Sequence, residues 1–259
     1  MKIIYRLIHD IDVAYNFFMY PMLSSTFYLA SCKCLSSYKN DFNSLYKNHN
    51  SYRSLIKSTG AVYNLIMTIY SGGTFFLLCR ELLEDHGTVV DYTAWLNNHL
   101  IVNNNILKLC WVFLHSKTVE YFDTYFILLK GGTPIFLQEY HHFGAVWSWF
   151  LPLYVDSSAV IIPCLLNSFV HAIMYFYYFL SVFDSRKVLM PVKPLITTLQ
   201  LVQLCGGFYV SFTAYIMRHA GHLDLMFMST VYFFHVYDVI LILLFLQFSY
   251  YQYFKKKKR

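Results

Sequence analysis

The sequence contains little charge: Asp, Glu, Lys and Arg make up only 13% of its 259 residues. A soluble domain of ordinary composition carries about 25% charged residues, whereas this chain is 57% apolar and 20% aromatic. The shortage of charge excludes an ordinary soluble domain and indicates a protein whose main solvent is lipid. A chain of this length has room for several membrane spans joined by short loops, and none for a second soluble domain.

Cysteine is sparse, and the N-terminus lacks the pattern of a leader sequence. The six cysteines are scattered, mostly within apolar runs, without the paired spacing of a zinc site or the density of a disulfide-linked scaffold. We interpret them as packing residues. The first ten residues are short and mixed, and no small-residue cleavage site follows the next apolar run, so a cleaved signal peptide is not expected.

Apolar stretches long enough to cross a bilayer recur along the whole chain. A span needs about 20 largely apolar residues. The segments that meet this length are 11–35, 58–78, 106–129, 137–154, 159–183, 195–217 and 225–250. The first is the weakest because Pro21 interrupts it, and the third is polar in its middle. We therefore predict an all-α integral membrane protein with about seven transmembrane helices.

Basic residues indicate how these spans are oriented, because Lys and Arg favour cytoplasmic loops. The loop after the first span is basic, the next loop is acidic, and residues 255–259 are four lysines and an arginine. This alternation predicts a cytosolic C-terminus. Lys256 and Lys257 resemble a di-lysine signal that returns membrane proteins to the endoplasmic reticulum, and a polybasic tail bound to anionic lipid is the alternative.

The third predicted span carries ionisable groups in the middle of its apolar sequence. Lys117, Glu120, Asp123 and Thr124 recur at spacings of three and four, which on one helix form a single polar stripe. Charges in hydrocarbon are costly and must pair or face an internal cavity, so we read them as functional. An ion network with a purely structural role between helices is the alternative.

Polar residues of the other spans fall in the same half of the membrane under the predicted orientation. They are Gln138, His141 and His142 where span four begins, Asn167, His171, Met174, Tyr175 and Tyr178 on one face of span five, and Thr197, Gln200 and Gln203 at the start of span six. A packing histidine, an aromatic belt or hydrogen bonds between helices would explain each group taken alone. Together they indicate a cavity that opens to the cytosol.

Four motifs in this order resemble the ELO family of very-long-chain fatty acid elongases. They are K-x-x-E-x-x-D-T at 117–124, the histidine box as Q-E-Y-H-H at 138–142, N-x-x-x-H-x-x-M-Y-x-Y-Y at 167–178 and T-x-x-Q-x-x-Q at 197–203. Tyr63-Asn64 and Ser71 resemble a further pattern in span two, and the resemblance covers about residues 55–254. The chain departs from the family where Gln138 replaces the first histidine of the box. It departs again where Lys130-Gly131-Gly132 replaces a more basic cluster.

The resemblance implies a helical barrel that encloses an acyl-chain tunnel, and an acyltransferase reaction. A long-chain acyl-CoA would condense with malonyl-CoA to 3-oxoacyl-CoA, CO2 and CoA. By this resemblance His141 is the nucleophile that forms an acyl-enzyme, His142 orients it, and His171 faces the malonyl unit. The residues expected to support substrate are Lys117, Glu120, Asp123, Gln138, Asn167, Tyr175, Tyr178, Gln200 and Gln203, and those expected to contact CoA phosphates are Lys130, Arg186, Lys187 and Lys193.

The same resemblance divides the chain and sets its expected partners. Residues 1–54 form an N-terminal segment with the first span and a cytosolic loop, 55–254 the catalytic domain and 255–259 a basic cytosolic tail. We expect acyl-CoA and malonyl-CoA as substrates and neither a bound cofactor nor a metal. Expected partners are membrane lipid, the reductases and dehydratase of the elongation cycle, and a second copy of the chain. No nucleic acid is expected.

Two other classes of protein remain as alternatives. A di-iron desaturase or hydroxylase needs several clusters of histidines, and this chain has one adjacent pair, His141-His142. A polytopic transporter also places polar groups at mid-depth, although no pair of helices broken by Pro or Gly occupies corresponding halves. Gly206-Gly207 in span six is the candidate unwinding point.

Overall fold

The chain is helical throughout the part that the structure describes. A computed structural model describes residues 2–86, 104–154, 160–183, 189–218 and 225–255, and these ranges contain no β-strand. A backbone in lipid satisfies its hydrogen bonds within helices, so the apolar composition accounts for the fold. The prediction of an all-α protein is confirmed.

The described residues form nine α-helices and one terminal π-helical turn. They are α1 (Lys2–Ser37), α2 (Lys39–Asn48), α3 (Asn50–His86), α4 (Asn104–Val119), α5 (Tyr121–Leu129), α6 (Phe136–Tyr154), α7 (Ile161–Ser181), α8 (Val192–Arg218), α9 (Leu225–Ser249) and the π-helix Tyr250–Phe254.

Four stretches of the described residues are long and apolar enough to cross a membrane. They are Asn50–Glu84, Ile161–Ser181, Val192–Thr213 and Ser229–Phe254, which correspond to the second, fifth, sixth and seventh predicted spans. The protein is therefore a multi-span membrane protein by length and composition. The other three predicted spans, and with them the count of seven, stay predictions.

The third predicted span is interrupted at Glu120, so the expectation of one polar stripe on one continuous helix is wrong. The helix α4 has 16 residues and α5 has nine, each shorter than the about 20 residues that a span needs. At the junction the Asp123 N–H donates to the Glu120 carbonyl at 3.0 Å. The tighter turn leaves the Val119 carbonyl to accept from the Tyr63 hydroxyl at 3.3 Å.

Helix α1 continues through Pro21. This proline is the reason why the first predicted span is the weakest of the seven. Proline removes one backbone hydrogen bond from a helix interior. Two serines in the following turn bond to backbone carbonyls: Ser24 Oγ donates to Pro21 at 3.1 Å, and Ser25 Oγ donates to Phe143 of α6 at 3.4 Å. The bond from Ser25 places α1 directly against the helix that carries the histidine box.

Six helical segments pack on one another in a closed circuit. In order around the circuit α3 contacts α4, α4 contacts α6, α6 contacts α9, α9 contacts α8, α8 contacts α7, and α7 returns to α3. Helix α1 packs against α5 and α6 beside this circuit. Residues far apart in sequence are therefore neighbours across its interior, and the predicted site residues come from α4, α5, α6, α7 and α8.

The loop between α5 and α6 is closed against α2. Gly131 has a φ of 73°, a conformation that favours glycine, and a Cβ there would lie 2.4 Å from Asn43 Cα. Lys39 Nζ donates to Thr133 Oγ1 at 2.5 Å. The Gly131 that departs from the family's basic cluster thus allows α2 to lie directly on this loop.

Candidate active site

A buried ion pair forms the centre of the candidate site. Lys117 Nζ donates to Glu120 Oε1 at 2.7 Å and to Asn167 Oδ1 at 2.9 Å, and each of the two ionic residues is 1% exposed. His171 Nε2 lies 3.5 Å from the other carboxylate oxygen of Glu120. Glu120 therefore faces an ammonium on one side and an imidazole on the other, as a charge buried in hydrocarbon requires.

The orientation of His171 follows from its own helix. Its Nδ1 lies 3.0 Å from the backbone carbonyl of Asn167, one turn earlier in α7. A carbonyl only accepts, so Nδ1 carries the proton. The second nitrogen, Nε2, is thereby directed at Glu120 and the interior of the site.

The two adjacent histidines of α6 join the same centre. One carboxylate oxygen of Glu120 and one ring nitrogen each of His141 and His142 lie within 4.8 Å of one another. His142 is buried and lies edge-on to the rings of Tyr28 and Tyr121, at centroid distances of 6.0 and 6.3 Å. The histidine box and the Lys117–Glu120 pair, separated in sequence, are thus one site.

Gln138 occupies the first position of the histidine box and acts as a hydrogen-bonding group there. Its Nε2 lies 3.4 Å from His142 Nε2 and 3.5 Å from Thr124 Oγ1, both at the long end of hydrogen-bond distances. An amide nitrogen has two protons, so Gln138 can serve both acceptors. Among the described residues, His142 Nδ1 is a buried polar atom without a partner.

Asp123 is separated from Glu120 by the break between α4 and α5 and has a different partner. Tyr175 of α7, whose side chain is fully buried, donates its hydroxyl proton to Asp123 Oδ2 at 2.6 Å. The Tyr175 ring packs edge-on against Tyr63 of α3 at 5.9 Å. The motif's two carboxylates therefore serve two neighbouring groups of side chains, one around the histidines and one around the tyrosines.

Helix α8 contributes one of its two predicted glutamines to the network. Asn167 Nδ2 donates to Gln203 Oε1 at 3.2 Å, which links Lys117, Asn167 and Gln203 across three helices. Gln200 instead donates to Met174 Sδ at 3.2 Å. Thr197 bonds with the Tyr253 hydroxyl of the π-helix at 3.0 Å. The motif on α8 thus touches the site through its last residue.

The remaining predicted residues are exposed or lie outside the described part of the chain. Tyr178 is 40% exposed, and the lysines expected to contact CoA, Lys130 and Lys193, are exposed. Arg186 and Lys187, the other two residues expected to contact CoA, and the di-lysine pair at 256–257 lie outside the described residues.

Two tyrosines that the motifs do not include also reach the site. Tyr28 of α1 bonds through its hydroxyl to Thr124 Oγ1 at 3.1 Å and stacks on Tyr121 at 4.5 Å. Tyr237 of α9 places its hydroxyl 3.4 Å from His141 Nδ1. With 24 tyrosines in the chain, neither position differs locally from an ordinary aromatic residue of a membrane helix. The adjacent Asp238 is a carboxylate in an apolar helix and is buried. It was the one residue of α9 whose type could have indicated that this helix faces the site.

The side chains of Glu120, His141 and His142 are also of the types that hold a transition metal. Lys117 Nζ, however, already lies 2.7 Å from Glu120 and would repel a cation bound there. Within the described residues, Glu120, His141 and His142 form one group of three possible metal ligands. The chemistry that these residues fit without added groups is proton transfer and nucleophilic attack by imidazole.

The fold and the site define a multi-span, all-α membrane protein that buries imidazole, carboxylate, ammonium and carboxamide groups in one cluster. The chain belongs to the ELO (GNS1/SUR4) family, whose model matches residues 13–259. The resemblance seen in the four motifs is therefore confirmed.

Three relatives illustrate the extent of the similarity. The chain is 37% identical over 111 residues to "Fatty acid elongase 3" of Trypanosoma cruzi (strain CL Brener), which covers 42% of this chain and 37% of that protein. It is 31% identical over 168 residues to "Fatty acid elongase 1" of Trypanosoma brucei brucei, 62% and 53% of the two chains. It is 30% identical over 218 residues to "Very long chain fatty acid elongase 7" of Rattus norvegicus, 78% and 72%. The match to the Trypanosoma cruzi protein spans less than two fifths of that protein's length.

Proposed function

We propose that this protein is a fatty acid elongase that condenses a long-chain acyl-CoA with malonyl-CoA, giving 3-oxoacyl-CoA, CO2 and CoA. The observation that carries the proposal is the convergence of His141, His142 and His171 on the buried Lys117–Glu120 pair. Membership of the ELO family and the names of its relatives support the same reaction class. The finer chemistry rests on the residue types and their distances.

In the first half-reaction a neutral His141 attacks the carbonyl carbon of the acyl thioester. A bond from imidazole nitrogen to carbon forms, the carbon–sulfur bond breaks, and CoA leaves as the thiolate. Nucleophilic attack by a side chain divides one difficult condensation into two easier steps. The acyl-imidazole is positively charged, and the Glu120 carboxylate, which shares the 4.8 Å cluster with His141, stabilises that charge.

In the second half-reaction malonyl-CoA loses CO2, and the electrons of the broken carbon–carbon bond form a thioester enolate. The enolate carbon attacks the acyl carbon, and the bond to His141 breaks to restore neutral imidazole. This step is balanced in charge without an added proton. His171, held by its bond to the Asn167 carbonyl, directs Nε2 into the site, and in its imidazolium form it would donate Nε2–H to the enolate oxygen.

Hydrogen-bond donors for the developing oxyanions are present at the same centre. His142 Nδ1 is buried without a partner among the described residues and is free to donate to a thioester oxygen. A donor of this kind contributes roughly 3–4 kcal/mol of transition-state stabilisation in a site without bulk water. The Asn167–Gln203 pair holds Lys117 in place rather than facing the reacting atoms.

The acyl tail and the CoA group require different surroundings. We assign the apolar interior of the helix circuit to the tail, as a tunnel within a barrel of seven membrane helices. The exposed Lys130 and Lys193, together with Arg186 and Lys187, would meet CoA phosphates on the cytosolic side. This arrangement corresponds to an enzyme of the endoplasmic reticulum membrane with a cytosolic C-terminus. The reductases and dehydratase of the elongation cycle would be its partners, and no cofactor is needed for the condensation.

The test is condensation by the purified protein with labelled acyl-CoA, with and without malonyl-CoA. We expect a labelled 3-oxoacyl product that requires malonyl-CoA, and labelled protein when malonyl-CoA is omitted. His141→Ala should abolish both products, whereas His171→Ala should abolish condensation and retain labelled protein. The matched control is His235→Ala, which should retain condensation. His235 lies in the N-terminal half of α9 and bonds with Ser211. Condensation near the wild-type rate in both site variants would refute the assignment.

Metal analysis of the same preparation separates the elongase from a di-iron desaturase or hydroxylase. A condensing enzyme of this design remains active after treatment with a strong chelator, because its residues supply the nucleophile and the charges. Loss of activity on chelation, restored by iron, would favour the di-iron class. A protein that carries a solute and forms no covalent product would be a transporter.

A further inference from the structure

Helix α9 carries a tyrosine that contacts the proposed nucleophile, although no motif includes it. The Tyr237 hydroxyl lies 3.1 Å from the backbone carbonyl of His141 and 3.4 Å from the His141 Nδ1 atom. Tyr237 is 8% exposed, so no bulk water competes for these bonds. The hydroxyl therefore bonds both the main chain and the ring of one residue, 96 positions away in sequence.

The two acceptors of this hydroxyl determine where its single proton goes. A backbone carbonyl only accepts, and its distance of 3.1 Å from the hydroxyl is the shorter of the two, the other being 3.4 Å. The proton of Tyr237 is thus donated to the His141 carbonyl. A lone pair of the same oxygen remains to accept from His141 Nδ1–H, and this bond selects the tautomer with a proton on Nδ1.

The packing around Tyr237 holds its ring in this place. It stacks on Tyr140 at a centroid distance of 5.3 Å and an interplanar angle of 17°. A Cβ at Gly144 would lie 2.1 Å from Tyr237 Cε2, so α6 accepts the ring only where glycine stands. Tyr140 in turn donates its hydroxyl proton to the Tyr237 carbonyl at 3.4 Å. Each of the two helices, α6 and α9, thus donates a tyrosine hydroxyl proton to a backbone carbonyl of the other.

We propose that Tyr237 is a positioning residue that keeps the proton of His141 on Nδ1 and so presents Nε2, with its free lone pair, to the acyl thioester. The inference rests on the proposed function and specifies which nitrogen of His141 reacts. In the acylated state the same oxygen accepts from Nδ1–H of the positively charged ring and stabilises it. Removing the partner that orients a metal-bound histidine typically costs about 10- to 100-fold in activity, and we expect a loss of the same order here.

The test compares two tyrosines of one stack. Tyr237→Phe removes the hydroxyl that faces imidazole, and Tyr140→Phe removes a hydroxyl whose described bond is to a carbonyl of the same interface. Rapid mixing with acyl-CoA alone measures CoA release from the first half-reaction. The amplitude of that burst counts folded sites, and its rate constant reports how well His141 is oriented.

We expect Tyr237→Phe to lower the burst rate constant and kcat about 10- to 100-fold, with burst amplitude and KM for acyl-CoA within about threefold of wild type. Tyr140→Phe should change the rate constant by no more than about twofold. Equal rate constants in the two variants, or a loss confined to amplitude in Tyr237→Phe, would overturn the inference while the proposed function stands. A wild-type protein without malonyl-CoA-dependent condensation would refute the proposed function and this inference with it.

Discussion

The buried Lys117–Glu120 pair allows a quantitative prediction about stability. Lys117 is 1% exposed, donates to Glu120 and Asn167, and lies 4.1 Å from the Phe113 ring centroid. Methionine has a similar shape without the charge, so Lys117→Met leaves Glu120 with His171 at 3.5 Å as its remaining described ionic contact. Breaking a buried pair in this way lowers the free energy of unfolding by about 3–5 kcal/mol.

Removing both charges should cost much less than removing one. In Lys117→Met/Glu120→Gln no charge of this pair remains to be desolvated. Replacing a whole buried pair by neutral groups is often close to neutral in stability, so the double variant should lie within about 1–2 kcal/mol of wild type. The double variant should therefore be more stable than Lys117→Met by roughly 1–4 kcal/mol, which corresponds to about 0.7 to 3 decades in the folded-to-unfolded ratio.

The assay is reversible unfolding in detergent micelles or lipid, followed by helical signal for the wild type, both single variants and the double variant. Lys108→Met is the matched control, because Lys108 lies on the same helix with an exposed side chain, and it should change stability by no more than about 0.5 kcal/mol. The reasoning is refuted if the effects of the two single variants add in the double variant to within about 0.5 kcal/mol.

Two further predictions concern single hydrogen bonds and backbone conformation. Tyr175→Phe deprives Asp123 of its donor at 2.6 Å and should lower the free energy of unfolding by about 1–3 kcal/mol. Tyr178→Phe, at a side chain that is 40% exposed, should change it by less than about 0.5 kcal/mol, and equal losses would contradict the role given to the Asp123 bond. Gly131→Ala adds a Cβ 2.4 Å from Asn43 Cα at a φ of 73° and should destabilise by about 1–3 kcal/mol. In limited proteolysis the 130–135 loop should be cleaved faster. Gly73→Ala, where a Cβ meets nothing within 4 Å, should be neutral or stabilising by up to about 1 kcal/mol, and similar proteolysis of both variants would argue against a closed loop.

The motif spacing identified most of the residues that meet in the site. Lys117, Glu120, Asn167, His171 and Gln203 were all expected from positions three, four or seven apart, and the structure joins them in one network. Helical periodicity explains this success, because residues on one face of each helix are directed to the same interior. The same reasoning missed the break at Glu120, since local periodicity carries no sign of where a polar turn interrupts an apolar span.

Gln138 shows how a departure from a motif is compensated by geometry. The sequence indicates only that an imidazole is absent from the first position of the box. In the structure the amide of Gln138 reaches both His142 and Thr124, so one side chain connects α6 with α5. Its hydrogen-bonding capacity, rather than basicity, is what this position supplies to the site.

The N-terminal segment contacts the candidate site, although none of the motifs lies within it. Tyr28 is fully buried, and its hydroxyl bonds with Thr124 of the K-x-x-E-x-x-D-T motif. Ser31 Oγ of α1 lies 2.6 Å from the hydroxyl of Tyr125, which is on α5 next to Thr124. Helix α1 therefore covers one side of the histidine box through the contact of Tyr28 with His142, and its serines and tyrosines face polar groups that would otherwise lie in lipid.

Composition and periodicity alone were enough to specify a helical membrane protein and the polar faces of its helices, because the cost of placing charge and unpaired backbone in hydrocarbon acts on each segment separately. The resemblance of four motifs was needed to indicate the family. Which polar groups meet depended on the packing of α4, α6, α7, α8 and α9 around one interior. That packing directs Gln203 to Asn167 but Gln200 to Met174, and it brings Tyr237 to His141. Contacts of this kind join residues tens of positions apart, and no local pattern encodes the angle at which two helices cross.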